Sequence, residues 1–336
     1  MRKIILVILF NVIFHGAYSQ VIRGTICSEK TKSPISYASV YFNGTFAGTT
    51  SDINGNFKLD ISDNTSMPLT FSAIGYYSNS IIKFSAIKSL QIYLEPKEYE
   101  LKEAKVKSKS LVRKRKRYLA LFRDEFLGTT LFASECKILN EKDITFNYYS
   151  DKDTIKAFAL KPIVVDNMAL GYKVTYYLDK FEYYKEKEAT FFAGNIIFKE
   201  NNATGFIQNQ FDENRRFSYL GSKTQFFKAL WSNSLKNNEF KVTVLRSLKM
   251  EFDITLNYKD IVVLDSKNNK YLKYPEPILI NFSGRFSGVT FLKDYIYFDQ
   301  TGYFDPAGIN WTGDMSKKRI ADWLPYEYSI EKGSKR

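Results

Sequence analysis

The sequence predicts a mainly β protein, with an amino-terminal seven-stranded β-sandwich followed by a second β-rich unit carrying one inserted helix. Two patterns carry this prediction. Between positions 21 and 96, short β-type runs alternate with turn residues at short intervals, as in an all-β sandwich. Beyond position 129 the strands become long and aromatic, in a chain with 28 Phe and 24 Tyr, residue types that favour strands.

The first nineteen residues read as a cleavable secretory signal. Arg2 and Lys3 supply a positive start, Ile4 to Phe14 an apolar run broken only by Asn11, and Ala17-Tyr18-Ser19 small residues at the two positions a signal peptidase reads before a cut between Ser19 and Gln20. The run is too short for a permanent membrane helix, which needs roughly 20 apolar residues. Cys27 lies too far beyond the cut for a lipid anchor. The only histidine, His15, leaves with the signal. Histidine acid–base catalysis, Ser-His or Cys-His nucleophiles and histidine metal ligation are therefore not expected. Removing Arg2 and Lys3 from 49 basic residues leaves 47 against 36 acidic, so the mature chain stays basic. An exported basic protein meets anionic lipid or acidic polymer in preference to nucleic acid.

Residues 20–96 are expected to form the sandwich. Its strand runs are Val21-Ile26, Ala38-Phe42, Ala47-Thr50, Phe57-Ile61, Leu69-Ala73, Ile81-Phe84 and Leu90-Leu94. Asn43-Gly44, Asn54-Gly55 and Met67-Pro68 mark turns between them. Asp52, Asn54 and Asn56 alternate like the start of a calcium loop, with Asp63 at the twelfth place. The sixth place, which needs glycine, is Phe57, so a hairpin turn is the better reading.

These residues also carry a resemblance. Val21-Ile-Arg-Gly24-Thr, Ser33-Pro34-Ile35 with Ala38-Ser39-Val40, Gly48-Thr49-Thr50-Ser51-Asp52-Ile-Asn54-Gly55-Asn-Phe57, Phe71-Ser-Ala-Ile-Gly75-Tyr76 and Leu90-Gln-Ile-Tyr-Leu94 together resemble the carboxypeptidase regulatory-like domain. The resemblance implies a transthyretin-like seven-stranded sandwich without activity of its own. Such domains precede outer-membrane receptors or accompany zinc peptidases. Here no receptor barrel of hundreds of residues follows, and no His-x-x-Glu is present.

Residues 97–128 read as a basic linker and helix. Nine basic residues stand between Lys102 and Arg117 against one acid, Glu103. Leu111, Arg115, Tyr118, Phe122 and Phe126 then recur at helical spacing before Gly128, which predicts an amphipathic helix docked on the second unit. The basic run reads as a solvated linker, with an electrostatic hold on an anionic membrane surface, through 102–117, as its functional alternative, worth about 1 kcal/mol per basic side chain.

Residues 129–336 are expected to form a β-rich domain, with strands at Ile144-Tyr149, Ile155-Leu160, Tyr172-Leu178, Thr190-Phe198, Lys241-Val244, Ile254-Leu264, Ile278-Ser283 and Val289-Phe298, and one helix from Arg215 to Leu235. Phe126-Leu-Gly128, Gly171-Tyr-Lys-Val-Thr-Tyr-Tyr-Leu178 and Arg319-Ile-Ala-Asp-Trp-Leu-Pro325 are similar to a family of envelope proteins that follow the same regulatory-like domain, and the similarity implies an architecture without an activity. Alternating aromatic strands also fit a small outer-membrane barrel, against which stand the inserted helix, the charges of Lys180 to Glu188 and the polar end Glu331 to Arg336.

Chemistry-bearing patterns are sparse. Ser85-Ala-Ile-Lys88 matches Ser-x-x-Lys, but a nucleophile-bearing helix is not expected in a small sandwich, and neither Ser-Asp-Asn nor Lys-Thr-Gly follows. Glu182, Glu186 and Glu188 interleave with lysines as a solvated ion-pair face, and Asp151 and Asp153 sit in a turn. Trp311 and Trp323 are candidate ligand-binding aromatics, with core packing as the competing role. Cys27 and Cys136 are a candidate disulfide, with two free thiols as the plainer reading. No cofactor or metal is expected. The sequence thus points to a non-catalytic protein exported to the periplasm, outer membrane or surface of a Gram-negative cell, binding an envelope protein or polysaccharide. A carboxylate-based glycan hydrolase, with two carboxyls roughly 5 to 9.5 Å apart, is the alternative.

Overall fold

The computed structural model describes residues 20–61, 67–82, 84, 89–97, 109–245 and 254–330. The segment up to Ser19 expected to be an export signal, Ser85 and Lys88, Asp63, and positions 98–108 of the basic run lie outside the described residues.

Seven strands build the first unit: β1 (Val21–Ser28), β2 (Ser39–Phe42), β3 (Gly48–Thr50), β4 (Asn56–Asp60), β5 (Leu69–Ser72), β6 (Asn79–Ile81) and β7 (Ser89–Leu94). They form two sheets, β4-β1-β7 and β3-β2-β5-β6, face to face. The period-2 alternation of Phe57, Leu59 and Ile61 turns those side chains onto Ile22, Ile26, Val40, Phe42 and Phe71. This is the predicted sandwich. The Asp52 turn has a different job from the one expected. It is not a hairpin, because β3 and β4 lie in opposite sheets. Asp52 Oδ1 accepts from the amides of Asn54 and Asn56, both at 2.8 Å, and Gly55 takes φ +76° beneath the Ile26 carbonyl. The carboxylate thus shapes a crossing between sheets.

The helix expected before Gly128 is present as α1 (Lys109–Leu127), and Gly128 ends it at φ +100°. Tyr118, Phe122 and Phe126 are its buried face, whereas Leu111 is exposed. α1 covers a six-stranded sheet made of β8 (Cys136–Ile138), β9 (Ile144–Tyr149), β10 (Thr154–Ala159), β11 (Ile163–Asn167), β12 (Tyr172–Tyr184) and β13 (Ala189–Glu200), entered through the short α2 (Leu131–Ser134). β12 is the spine of this sheet, pairing β13 along one edge and β10 and β11 along the other. Its register slips between Leu178 and Lys180, so Asp179 is an extra, bulged residue. Inward positions run Tyr172, Val174, Tyr176, Leu178 before the bulge and Phe181 after it.

The helix expected over Arg215 to Leu235 is instead two helices, α3 (Gly205–Tyr219) and α4 (Lys223–Trp231). Gly221 takes φ +70°, and Ser222 restarts the chain by accepting the Gln225 amide at 3.1 Å. Phe217, near the end of α3, is 66 % exposed. A third unit follows: β14 (Phe240–Val244), α5 (Tyr258–Ile261), β15 (Val262–Leu264), β16 (Lys270–Leu272), β17 (Ile278–Phe282), β18 (Arg285–Phe291), β19 (Ile296–Phe298), β20 (Ile309–Gly313) and α6 (Asp314–Lys317). The strand expected over Ile254-Leu264 breaks because Asp260 accepts the Asn257 amide and starts α5. The sheets β14-β17-β18-β20 and β15-β16-β19 enclose a core with Phe226, Phe227 and Leu230 of α4. Residues 129–330 therefore divide over two apolar cores.

The chain is mainly β, and its sheets of described residues are open, none closing on itself. This overturns the small outer-membrane barrel. No helix among the described residues is long and apolar enough to cross a membrane.

Candidate functional site

The sandwich is joined to the central sheet edge to edge. The Asn43-Gly44 turn, legible as a turn from sequence, lies against the free edge of β13. The Ile196 amide donates to Asn43 Oδ1 at 2.7 Å, the Gly44 amide to the Ile196 carbonyl at 2.9 Å, and the Phe198 amide to the Thr45 carbonyl at 3.2 Å. This covers part of an edge that would otherwise be open to another strand. Beside it Tyr41 stacks on Tyr177 with ring centres 5.9 Å apart, and the Tyr177 hydroxyl bonds Ser39 at 2.8 Å. The bulged Asp179 is aimed at the same seam. It accepts from Asn195 at 3.2 Å and lies 3.6 Å from the Lys97 ammonium, which also donates to the Leu178 carbonyl. Burial pushes the Asp179 carboxyl up and the Lys97 ammonium down, each partly offset by the other.

The chain's last described segment closes the assembly. Ile320 and Ala321 enter the central core. The Tyr326 ring packs on the sandwich core, and its amide donates to the Gly44 carbonyl. Glu327 accepts the Phe46 amide, and Lys228 of α4 donates to the Tyr326 and Tyr328 carbonyls. One segment thus ties three cores together.

Where α1 ends there is an open cleft of about 490 Å³, lined among others by Arg123, Asp124, Thr130, Cys136, Lys137 and Glu141. Arg123 holds both oxygens of Glu141 at 2.6 Å, so that carboxylate is engaged. Behind the cleft lies Asp322, 7 % exposed, accepting from Thr130 at 2.9 Å. Burial raises its carboxyl to about 6, against the pull of Thr130 and Lys318. Burial and the nearby Asp322 push the Cys136 thiol up to about 12, so it is protonated and a poor nucleophile at neutral pH. Lys318 donates to the Ser218 and Leu220 carbonyls, and burial lowers its ammonium to about 8.

Asp322 gives a testable pH leg. Its folded-state value lies above the ordinary one near 3.9, so the folded protein holds more protons between the two, and stability rises as pH falls through about 6. The expected gain is about 3 kcal/mol, complete below the unfolded value. Asp322→Asn should remove this leg, and urea midpoints between roughly pH 4.5 and 7 measure it. Identical slopes for variant and parent would refute the assignment.

Other sequence-predicted residues take packing roles. Trp311 is half-buried with its ring edge-on to Phe227 and Phe304, and Lys223 stands over it at 5.3 Å. Trp323 stacks on Phe192 and donates to the Lys318 carbonyl. Cys27 in β1 and Cys136 in β8 are free thiols on different units, not a disulfide. Glu182 is not part of a solvated face. It is 6 % exposed, and although burial raises its carboxyl, Lys156, Tyr184 and Lys180 outweigh this and hold it at about 2. Among the described residues no group of three or more His, Cys, Asp or Glu is placed to hold a metal.

Residues 22–106 match the family model of the CarboxypepD_reg-like domain. The amino-terminal sandwich is a CarboxypepD_reg-like domain. A comparison with curated proteins returned no match for the chain. The regulatory-like domain is a non-catalytic module, compatible with a binding role. In this chain its β2–β3 turn and Tyr41 face the central sheet, which leaves the Tyr37, Thr49–Asp52 and Asn56–Lys58 side facing outward around a shallow depression of about 520 Å³.

Proposed function

We propose that this protein is exported to the cell envelope and works there by binding or assembly, without chemistry of its own, with an envelope protein or surface polysaccharide as partner. The observation that carries the reading is the seam itself. A non-catalytic regulatory-like domain is fastened by backbone hydrogen bonds to a sheet edge, and the C-terminal segment locks both to the third core. Such an arrangement fixes surfaces relative to one another, which is what a recognition scaffold requires. The charged start and apolar run before Gln20 support export.

Fractionation of cells producing the native protein, with amino-terminal sequencing and pull-down of the recovered chain, tests this reading. The expected product is an envelope-associated chain beginning at Gln20 that retains a partner. Recovery in the cytoplasm with an uncleaved start would overturn the export reading. Release of new reducing ends from envelope glycans by the purified protein would overturn the non-catalytic one.

A further inference from the structure

We propose that the first turns of α1, Lys109 to Arg117, are a docking face for an anionic phospholipid bilayer. The inference deepens the binding reading above by naming the partner of one surface, and it rests on an arrangement that is costly to the free protein. Lys109, Arg113, Lys114, Arg115, Lys116 and Arg117 stand on these turns with no acid among them. A helix carries partial positive charge at its amino end, where cations are disfavoured. The pairs Lys109/Arg113, Arg113/Arg117, Arg113/Lys116 and Lys114/Arg117 also place like charges on neighbouring positions of one helix face. Among the described residues the ion pairs of α1 belong to its other end, Arg123 with Glu141 and Glu125 with Arg319.

The helix is nevertheless held firmly. Arg115 donates to the Ile144 and Glu141 carbonyls at 2.7 and 2.9 Å, and Tyr118, Phe122 and Phe126 are buried beneath. The remaining cations are therefore presented on a rigid support. Lys114 and Lys185 of the β12–β13 turn flank the partly exposed Tyr148 ring at 5.5 and 4.2 Å, Lys185 being itself paired with Asp153 at 3.0 Å and so adding little to the uncompensated charge. A layer of phosphate-bearing headgroups would remove the self-repulsion that the free protein bears.

Two apolar side chains select lipid over other polyanions. Leu111 and Val112 are 50 % and 55 % exposed on the same turns. A polysaccharide or nucleic acid needs only the cations. A bilayer also accepts the apolar pair below its headgroups, as interfacial helices do.

The test is co-sedimentation of the purified protein with vesicles of phosphatidylglycerol and phosphatidylcholine, against vesicles of phosphatidylcholine alone. Binding is expected only with the anionic lipid, and should be lost on going from about 0.1 to 1 M salt as the screening length shortens. The variant K109Q/R113Q/K116Q/R117Q should lose on the order of a thousandfold in partitioning. It spares Arg115 and Lys114, and its melting temperature should equal or exceed the parent's because repulsion is relieved. Leu111→Ser with Val112→Ser should give a smaller drop. Failure to bind anionic vesicles, equal binding by the four-glutamine variant, or binding to dextran sulfate with vesicles ignored would each overturn the proposal. Because the readout uses purified protein, its failure would leave the export reading standing, and a cytoplasmic location would not affect the vesicle result.

Discussion

Arg215→Ala should lower the stability of the protein by about 3 kcal/mol, the upper range for stripping a charged donor from a buried carbonyl. Arg215 is 4 % exposed on α3. Its guanidinium donates to the Leu170 carbonyl at 2.7 Å and the Gly171 carbonyl at 3.3 Å, pairs with Glu200 at 2.7 Å, and lies 4.1 Å from the Tyr172 ring centre. One planar group therefore clamps the β11–β12 turn to α3, and alanine strips the Leu170 carbonyl of its guanidinium donor, whereas the Gly171 carbonyl keeps the Asn201 amide at 2.9 Å. Arg215→Lys should recover only part of the loss, since an ammonium keeps the charge but cannot span the same acceptors in its fork. Urea unfolding of the three proteins checks this. Equal midpoints for parent and alanine variant would show that the clamp contributes nothing.

A comparable loss, about 3 to 5 kcal/mol, is expected for Phe126→Ala. Phe126 is fully buried, edge-on to Tyr176 and Phe192 at 5.0 and 5.7 Å and stacked on Phe122 at 5.0 Å. Its removal leaves a cavity where α1 meets the sheet, so the damage should concentrate on α1's attachment. Trypsin cleavage at Arg113, Arg115 and Arg117 should accelerate under native conditions, whereas in Arg215→Ala it should accelerate much less. Unchanged cleavage in Phe126→Ala would mean that the helix is held by its polar contacts alone.

Much of the fold was legible because local chemistry and final environment agree. The Phe57, Leu59 and Ile61 alternation, the Phe122 and Phe126 spacing and Gly128 each describe a local geometry that the tertiary structure keeps. The sandwich strands were readable for the same reason, except that β6 ends at Ile81, where the expected run begins, and the family match covers the same part of the chain. The α3–α4 break was less legible. Leu220 continues the apolar spacing, so the periodic signal ran on through a turn that Gly221 and Ser222 impose.

The candidate site was mostly hidden. Asp322, Lys318 and Arg215 look like ordinary charged residues in sequence, and their perturbation comes from burial that distant segments create. Asp179 stands one place beyond the strand expected over Tyr172-Leu178. Only the register slip against Gly194 and Ala193 makes it a bulge facing Lys97.

By itself the sequence determined an export-type start that holds the only histidine, the sandwich, the amphipathic helix and the concentration of cations leading into that helix. These depend on composition and on neighbours within a few positions. The tertiary structure alone decided that the second half holds two cores, that the Asn43 turn covers a sheet edge, that the two cysteines stand apart as free thiols, and that the ion pairs of α1 among the described residues fall at its far end and not on its cationic first turns. Those depend on pairings between residues far apart in the chain, which local periodicity does not encode.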